Sequence, residues 1–158
     1  MLFRSVSTPS ERLAALGLTL PPVAPPQAAY VPAVRTGNYV YVSGQLPFVD
    51  GKLETTGKVG DTVSAEEAAA LARLCALNGL AAAASVAGGL DAIRRIVKVT
   101  GFVASSPSFT GQPAVVNGAS EFFIEVFGEA GRHARSAVGL AVLPLDTPVE
   151  VELIVEVA

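Results

Sequence analysis

The sequence predicts a single α+β domain in which two long helices cover one face of a β-sheet. Two long segments have the apolar spacing of amphipathic helices, and five shorter segments have the composition or alternation of strands. Their order along the chain is β-β-α-β-α-β-β, an arrangement that lets both helices pack on the same side of the sheet. The 158 residues suffice for one such domain with its own hydrophobic core.

An N-terminal extension is predicted to precede this domain. The segment from Ser10 to Leu16 is a predicted short amphipathic helix, with Ser10 as its candidate N-cap and Gly17 as its stop. The Pro-Pro-Val-Ala-Pro-Pro run at 21–26 is predicted to be an extended connector, because proline lacks the backbone N–H that a helix interior or a central strand needs. We therefore divide the chain into an extension at 1–26 and a main domain at 27–158.

The main domain begins with a predicted β-hairpin. Its strands are Tyr30–Arg35 and Tyr39–Ser43, and the Gly37-Asn38 pair between them tolerates the positive φ of a tight turn. The segment from Pro47 to Gly60 is predicted to be a loop that holds a second small hairpin at Asp50-Gly51.

Both long helices have recognisable ends in the sequence. Ser64 is predicted to cap the first helix in a capping box with Glu67, and the helix ends near Ala87 before two glycines. The second helix is predicted over 111–130, with Pro113 in its first turn. Its apolar face consists of Val115, Val116, Ala119, Phe122, Phe123, Val126 and Phe127.

The remaining strands are predicted at Ile93–Ala104, Arg135–Leu143 and Val149–Val157. In the last of them apolar and polar residues alternate, which distinguishes a buried face from an open one. The second face carries Glu150, Glu152, Ile154 and Glu156.

The composition argues against several classes of function. A formal net charge of −3 is unlike that of a nucleic-acid-binding surface. One cysteine and one histidine exclude a disulfide within the chain and leave almost no ligand set for a zinc site. Cys75 is predicted to be an inert buried thiol. No apolar run reaches the ~20 residues that span a bilayer, and no secretory segment follows Met1, so a cytoplasmic protein is predicted.

Arg135 is the first candidate for a functional residue. It heads a strand whose neighbours on its own face, Ala137 and Gly139, are small, which leaves room for a ligand. A guanidinium can bind a carboxylate through two parallel hydrogen bonds. The alternative is a structural ion pair with Glu150 or Glu152.

The two glutamates are the second candidate. Glu150 and Glu152 lie two residues apart on one strand face, which is compatible with a solvated sheet face and with a general base whose pKa burial has raised. His133 is predicted to be a loop histidine rather than a ligand, since the chain has no second histidine. The residues that fit either a structural or a site role are Tyr30, Ser43 and Asn117.

Three motifs, in this order, resemble those of the RidA (YjgF) family. The segment YVYVSGQLP at 39–47 resembles the family's SGQxP signature, and VNGASEFF at 116–123 resembles its VNxxYxxFF helix. ARS at 134–136, followed by VLP at 142–144 and VEVE at 149–152, resembles its C-terminal signature PARSxV…LP…VEIE.

This resemblance implies a chorismate-mutase-like fold with a mixed sheet, and a homotrimer with clefts between its subunits. It also implies hydrolysis of reactive 2-enamine and 2-imino acids to 2-keto acids and ammonia, with no metal or organic cofactor and with neither nucleic acid nor membrane as a partner. By the same resemblance Arg135 binds the substrate carboxylate, Glu150 positions or activates water, and Tyr30 of the adjacent subunit lines the cleft. The other residues that the resemblance places there are Ser43, Gly44 and Asn117.

The chain departs from the family pattern at three positions, which leaves the preferred substrate side chain open. His133 stands where proline is usual, Ser120 where the helix has tyrosine, and Ala137 where cysteine is frequent. Two other functions remain as alternatives. One is a non-catalytic keto-acid binder or sensor that uses the same arginine, and the other is a ribonuclease, which the acidic net charge and the single histidine disfavour.

Overall fold

The computed structural model describes residues 7–26 and 28–158, and it confirms the predicted α+β fold. Residues 1–6 of the extension and residue 27, where the predicted main domain begins, lie outside the described residues. In chain order the elements are α1 (Pro9–Ala15), β1 (Ala33–Thr36), β2 (Tyr39–Gln45), α2 (Ala65–Ala87), β3 (Ile93–Ala104), α3 (Gln112–Phe127), β4 (Ala134–Leu140) and β5 (Val149–Val157). Behind the short helix α1, this is the predicted β-β-α-β-α-β-β order.

The five strands form one mixed sheet in the order β1-β2-β5-β3-β4. Neighbouring strands are antiparallel except β3 and β4, which are parallel and are connected through α3. The strand β4 therefore lies at an edge of the sheet. The helices α2 and α3 cover one face, where β5 contributes the buried residues Val149, Val151, Leu153, Val155 and Val157.

We call the opposite side of the sheet the open face. On β5 it carries Glu150, Glu152, Ile154 and Glu156, which are all half-buried. The strand register places several exposed apolar side chains on the same face, with exposed fractions of 42–51%. They are Val34, Tyr39, Tyr41 and Val138.

The long helix α2 begins and ends as predicted. The Ser64 hydroxyl accepts a hydrogen bond from the Glu67 N–H at 3.1 Å, and Gly88 ends the helix with a φ of 91°. By length and composition alone α2 could cross a membrane, but 56% of its apolar window is buried inside the fold. The helix is therefore the core helix of this domain.

The short helix α1 differs from the prediction at its N-cap. The cap is Thr8, not Ser10, because the Thr8 hydroxyl accepts from the Glu11 N–H at 3.2 Å. The Ser10 N–H instead donates to Asp91 Oδ1 at 2.9 Å, which attaches α1 to the turn before β3. Leu13 of α1 is buried in the same core as the main domain.

Two strands are shorter than predicted, one because of the residue that precedes it and the other because its partner strand ends. The strand β1 begins at Ala33, because the preceding Pro32 has no N–H to donate to a ladder. The strand β4 ends at Leu140, opposite Ala104, which is the last residue of β3.

The helix α3 is also shorter than predicted and ends at Phe127. Gly128 follows with a φ of 64°, which breaks the helix, and Gly128–Gly131 forms a 3₁₀ turn. The predicted apolar face of α3 is confirmed, since all seven of its residues are buried. The small hairpin predicted at Asp50-Gly51 is also present, with positive φ at both residues.

Candidate active site

Arg135 lies on the edge strand β4 and faces the helix layer. It stands opposite the buried Val99 of β3, and its guanidinium contacts α3. The Nη1 group donates to Asn117 Oδ1 at 2.7 Å and to Ser120 Oγ at 3.2 Å. These two residues are three apart and so lie on the same side of α3. The structure therefore brings the predicted residues Arg135 and Asn117 together.

The guanidinium of Arg135 is held by neutral acceptors. Both N–H groups of Nη1 are used, whereas Nε and Nη2 donate to no acceptor among residues 7–26 and 28–158. The ion pairs in this part of the chain are Arg73–Glu125 and Arg132–Glu129. The predicted alternative, an ion pair of Arg135 with Glu150 or Glu152, is absent from the described residues. The Nε/Nη2 edge of Arg135 is therefore available to an anion.

The small residues of β4 predicted an open space for a ligand next to Arg135, but other side chains pack against these residues. Ala137 packs against the core, and a Cβ at Gly139 would lie 2.7 Å from Gln112 Nε2. The small side chains of β4 thus let α3 approach the sheet closely. Arg135 itself is half-buried, so part of its surface remains accessible to a ligand.

Glu150 lies on the open face of β5, opposite Phe102 of β3. Burial raises the pKa of its carboxyl group, and the negative charge of Glu152 raises that pKa further. The backbone of Gly44 lies directly against this carboxylate, because a Cβ built at Gly44 would overlap Glu150 Oε1. Only glycine leaves space for the Glu150 side chain in this position.

A β-bulge places Ser43 and Gly44 opposite Glu152, with the Gly44 backbone against the Glu150 carboxylate. In the β2–β5 ladder Val42 pairs with Leu153 and Gln45 with Val151, so two residues of β2 face one residue of β5. The Ser43 hydroxyl donates to the Val31 carbonyl at 2.7 Å, which fixes the bulge to the segment before β1. No pattern in the sequence indicated this bulge.

Small cavities lie beside Ser43 and Gly44. Tyr30, which is 45% exposed, lines one of about 20 Å³ together with Gly44. A larger cavity of about 270 Å³ on the open face is lined by Ser43, Glu152 and Lys98, among others. The structure thus places Tyr30 near Gly44.

The predicted site residues form two groups within one subunit. Arg135 and Asn117 lie on the helix side at the sheet edge, whereas Ser43, Gly44 and Glu150 lie on the open face. The strand β3 stands between β4 and β5, so the sheet itself separates the two groups. One subunit alone does not present Arg135 and Glu150 to the same small molecule.

Sequence reasoning missed two residues that contact this site. His133 lies in the loop before β4, as predicted, but beyond that it and Ser120 were noted only as departures from the motifs. In the structure His133 Nε2 lies 2.9 Å from Ser120 Oγ, which itself accepts from Arg135. The three-residue spacing of Asn117 and Ser120 on a helix was the one signal that could have indicated this contact.

Cys75 is buried as predicted, and its Sγ lies 3.8 Å from the Val149 carbonyl. Burial raises the pKa of this thiol, with a further contribution from the negative charge of Glu150. The thiol is therefore protonated and unreactive. Among residues 7–26 and 28–158, no three His, Cys, Asp or Glu side chains cluster closely enough to hold a metal ion.

Curated proteins similar to this chain come from distant organisms. Protein TCP17 of Trypanosoma cruzi is 47% identical over 89% of either chain. The mitochondrial protein MMF1 of Saccharomyces cerevisiae is 36% identical over 86% of this chain and 83% of its own. The 2-iminobutanoate/2-iminopropanoate deaminase of Salmonella typhimurium is 39% identical over 79% of this chain and 84% of its own. The predicted cytoplasmic location is thus not shared by every relative.

Solved structures match almost the whole chain. Atu1372 of Agrobacterium tumefaciens, a protein of unknown function, is 50% identical with a TM-score of 0.86, over 95% of this chain and 92% of its own. A "putative endoribonuclease" of Shewanella oneidensis is 36% identical with a TM-score of 0.92, over 96% and 100%. The family model "YjgF/chorismate_mutase-like, putative endoribonuclease" matches residues 10–157. With its chorismate-mutase-like fold, the chain belongs to the YjgF/RidA family.

Proposed function

We propose that this protein hydrolyses reactive 2-enamine and 2-imino acids to 2-keto acids and ammonia. The observation that carries the proposal is the Arg135 guanidinium, whose Nε/Nη2 edge offers two parallel donors with no carboxylate partner among the described residues. Such an edge matches the carboxylate that 2-imino and 2-keto acids share. The name of the Salmonella relative gives that protein a reaction of this class.

In this scheme Glu150 serves as the general base. Its carboxylate accepts a proton from water as the water oxygen attacks the carbon of the protonated imine, which forms a neutral carbinolamine. Glu150 then returns that proton to the nitrogen. As the C–N bond breaks, the carbinolamine hydroxyl gives its proton to Glu150, so that the keto-acid carbonyl forms and ammonia leaves. A positioned general base contributes roughly 10²–10⁴-fold, and a raised pKa brings Glu150 closer to the working pH. The scheme uses only side chains and water.

The separation of Arg135 from Glu150 supports a site shared between subunits. Arg135 would come from the sheet edge of one copy and Glu150 from the open face of the next. Contacts between unlike surfaces are head-to-tail, and they close into a ring when the rotation allows it. The exposed apolar side chains of the open face also favour burial against another copy. A ring of this kind agrees with the homotrimer that the family resemblance implies, and we propose that assembly, with a cleft at each interface.

The experiment measures keto-acid release from an imine generated in place by an amino-acid oxidase. We expect the purified protein to accelerate this release, and Arg135→Ala and Glu150→Gln to lose the acceleration, by about 10² or more for the glutamate. Matched controls are Arg94→Ala and Glu66→Gln, which change exposed residues outside both groups. Unchanged activity in Arg135→Ala, with assembly intact by light scattering, would defeat the proposal.

The second candidate is a keto-acid binder without turnover, since binding through Arg135 does not require Glu150. Titration calorimetry with 2-ketobutyrate separates the two. If the protein is an enzyme, the Glu150→Gln variant should still bind 2-ketobutyrate but should no longer hydrolyse the imine. If the wild-type protein saturates with keto acid but hydrolyses none of a panel of imines, it is a non-catalytic binder.

A further inference from the structure

A chain of hydrogen bonds lies behind the Nη1 side of Arg135. His133 Nδ1 lies 2.6 Å from the Gly131 carbonyl, and His133 Nε2 lies 2.9 Å from Ser120 Oγ. Ser120 Oγ in turn lies 3.2 Å from Arg135 Nη1. The chain therefore runs from a backbone carbonyl through a ring and a hydroxyl to the guanidinium.

With a neutral His133 ring, each hydrogen in this series of hydrogen bonds has one position. A carbonyl only accepts, so Nδ1 of His133 carries the ring proton and Nε2 is the acceptor of a neutral ring. An arginine only donates, so the Ser120 oxygen accepts from Nη1 and its own hydrogen points to Nε2. A hydroxyl that accepts from a cation while it donates to a fixed acceptor cannot rotate freely. The orientation of Ser120 is thus set by His133.

The surroundings of His133 fix the ring. Its ring meets that of Phe123 edge-on at 5.9 Å between centroids. Burial lowers the pKa of His133, the bond to the Gly131 carbonyl opposes this, and the charge of Arg135 lowers the pKa further. Because this pKa is lowered from an ordinary value that already lies below 7, the ring is neutral at neutral pH and Nε2 can accept from Ser120.

We propose that Ser120 and His133 are positioning residues that orient Arg135 for a substrate carboxylate. Ser120 and Asn117 accept from both N–H groups of Nη1, and His133 holds the Ser120 hydroxyl. The guanidinium plane is thereby fixed, and its Nε/Nη2 edge is directed to the ligand. Both residues stand where the chain departs from the family motifs, which makes the device particular to chains that carry this pair. The inference rests on the proposed function, since it concerns the same arginine.

A first test reads the hydrogen-bond chain without any ligand. The chain has one histidine, so nitrogen-15 labelling of histidine gives a single pair of ring signals. We expect a protonated Nδ1 and an unprotonated Nε2 at neutral pH. The Nε2 signal should move in Ser120→Ala and stay in place in the control Arg94→Ala. A ring protonated at Nε2, or an Nε2 signal indifferent to Ser120→Ala, overturns the inference.

A second test compares matched variants at each position. His133→Phe keeps a ring but removes the acceptor, whereas His133→Gln supplies an amide oxygen in its place. Ser120→Ala removes the hydroxyl, whereas Ser120→Thr keeps it. We expect the first variant of each pair to raise KM for the imine, and Kd for 2-ketobutyrate, about 10-fold. The value of kcat should stay within about 2-fold, and Gln and Thr should restore most of the affinity.

The outcomes separate this inference from the proposed function. If the wild-type protein turns over the imine and none of the four variants changes KM or Kd, the positioning role is overturned but the proposed function stands. Equal losses in all four, or a lower kcat with unchanged KM, indicate a structural role and also overturn it. A wild-type protein that neither binds 2-ketobutyrate nor hydrolyses the imine overturns the proposed function and the carboxylate role of Arg135 together. The double variant Ser120→Ala/His133→Phe should lose no more than either single variant, because both act through one chain.

Discussion

At the scale of single residues, the Glu150 carboxyl is the group whose surroundings matter most. It is half-buried on the open face, with Gly44 backbone on one side and Glu152 two residues further along the same strand face. Burial and the neighbouring charge both raise its pKa. A carboxylate in this state is a stronger base than an ordinary surface glutamate.

The pH dependence of kcat/KM should therefore have an acid limb that belongs to Glu150. Activity is lost as the pH falls through the raised pKa, because the protonated carboxyl cannot accept a proton from water. Glu152→Gln removes the neighbouring charge and should move this limb to lower pH. Glu156→Gln, on the same face of the same strand but farther away, serves as the control. Identical limbs in wild type and Glu152→Gln would refute the assignment.

The same raised pKa makes a prediction for stability. A carboxyl whose folded-state pKa is raised stabilises the fold fully below the ordinary glutamate pKa, and this contribution is lost as the pH rises through the raised value. Glu150→Gln, which cannot ionise, should therefore raise the melting temperature at neutral pH and change it little in acid. Calorimetry at the two pH values checks this. A lower melting temperature at neutral pH would contradict it.

At the scale of elements, the crossing of α2 and α3 positions the residues that hold Arg135. Gly118 of α3 lies against the backbone carbonyl of Ala69 in α2, and a Cβ there would overlap that oxygen and lie 2.7 Å from the carbonyl carbon. Gly118 directly follows Asn117, so this contact also determines where the amide stands. A side chain at position 118 would push the helices apart.

Gly118→Ala should lower the free energy of unfolding by about 1–3 kcal/mol, the usual cost of overpacking. The control is Gly79→Ala in α2, where the new methyl would lie 2.7 Å from Leu153 Cδ2, the end of a flexible side chain. Denaturant unfolding of both variants provides the comparison. If Gly79→Ala costs as much as Gly118→Ala, a rigid backbone contact is not what limits the crossing.

Elements whose ends depend on local chemistry could be predicted from the sequence, whereas those whose ends depend on strand pairing could not. The capped start of α2 and the apolar face of α3 depend on local chemistry, and both are confirmed. The end of β4 depends on where β3 stops, and the Ser43-Gly44 bulge depends on the register with β5. Pairing partners are far apart in the chain, so no local pattern contains this information.

The candidate site shows the same division between local and long-range information. The motifs singled out Arg135 and Glu150. Their placement on opposite sides of the sheet follows from strand register and could not be predicted from the motifs. The small residues after Arg135 indicated an open space, but the structure fills that space with α3.

At the scale of the whole molecule, the proposed ring makes the subunits complement one another. Arg135→Ala and Glu150→Gln are each inactive alone, but in a mixed trimer one interface can combine the intact Glu150 of the first with the intact Arg135 of the second. Random assembly after co-expression in equal amounts leaves about a quarter of the sites intact. We expect activity near that fraction of wild type. If mixed trimers, verified by mass spectrometry, recover no activity, then both residues belong to a site within one subunit.

The tight fit of Gly44 against Glu150 has a consequence for how such chains diversify. A methyl group at position 44 would force the Glu150 carboxylate out of its present position. If Glu150 is the base of the proposed site, adaptation to bulkier substrates is expected on the side of Arg135 instead. A homologue that carries alanine at this position is expected to hold this carboxylate elsewhere and so to lack the proposed base. Sorting sequences by that single glycine should separate the members that turn substrate over from those that merely hold it.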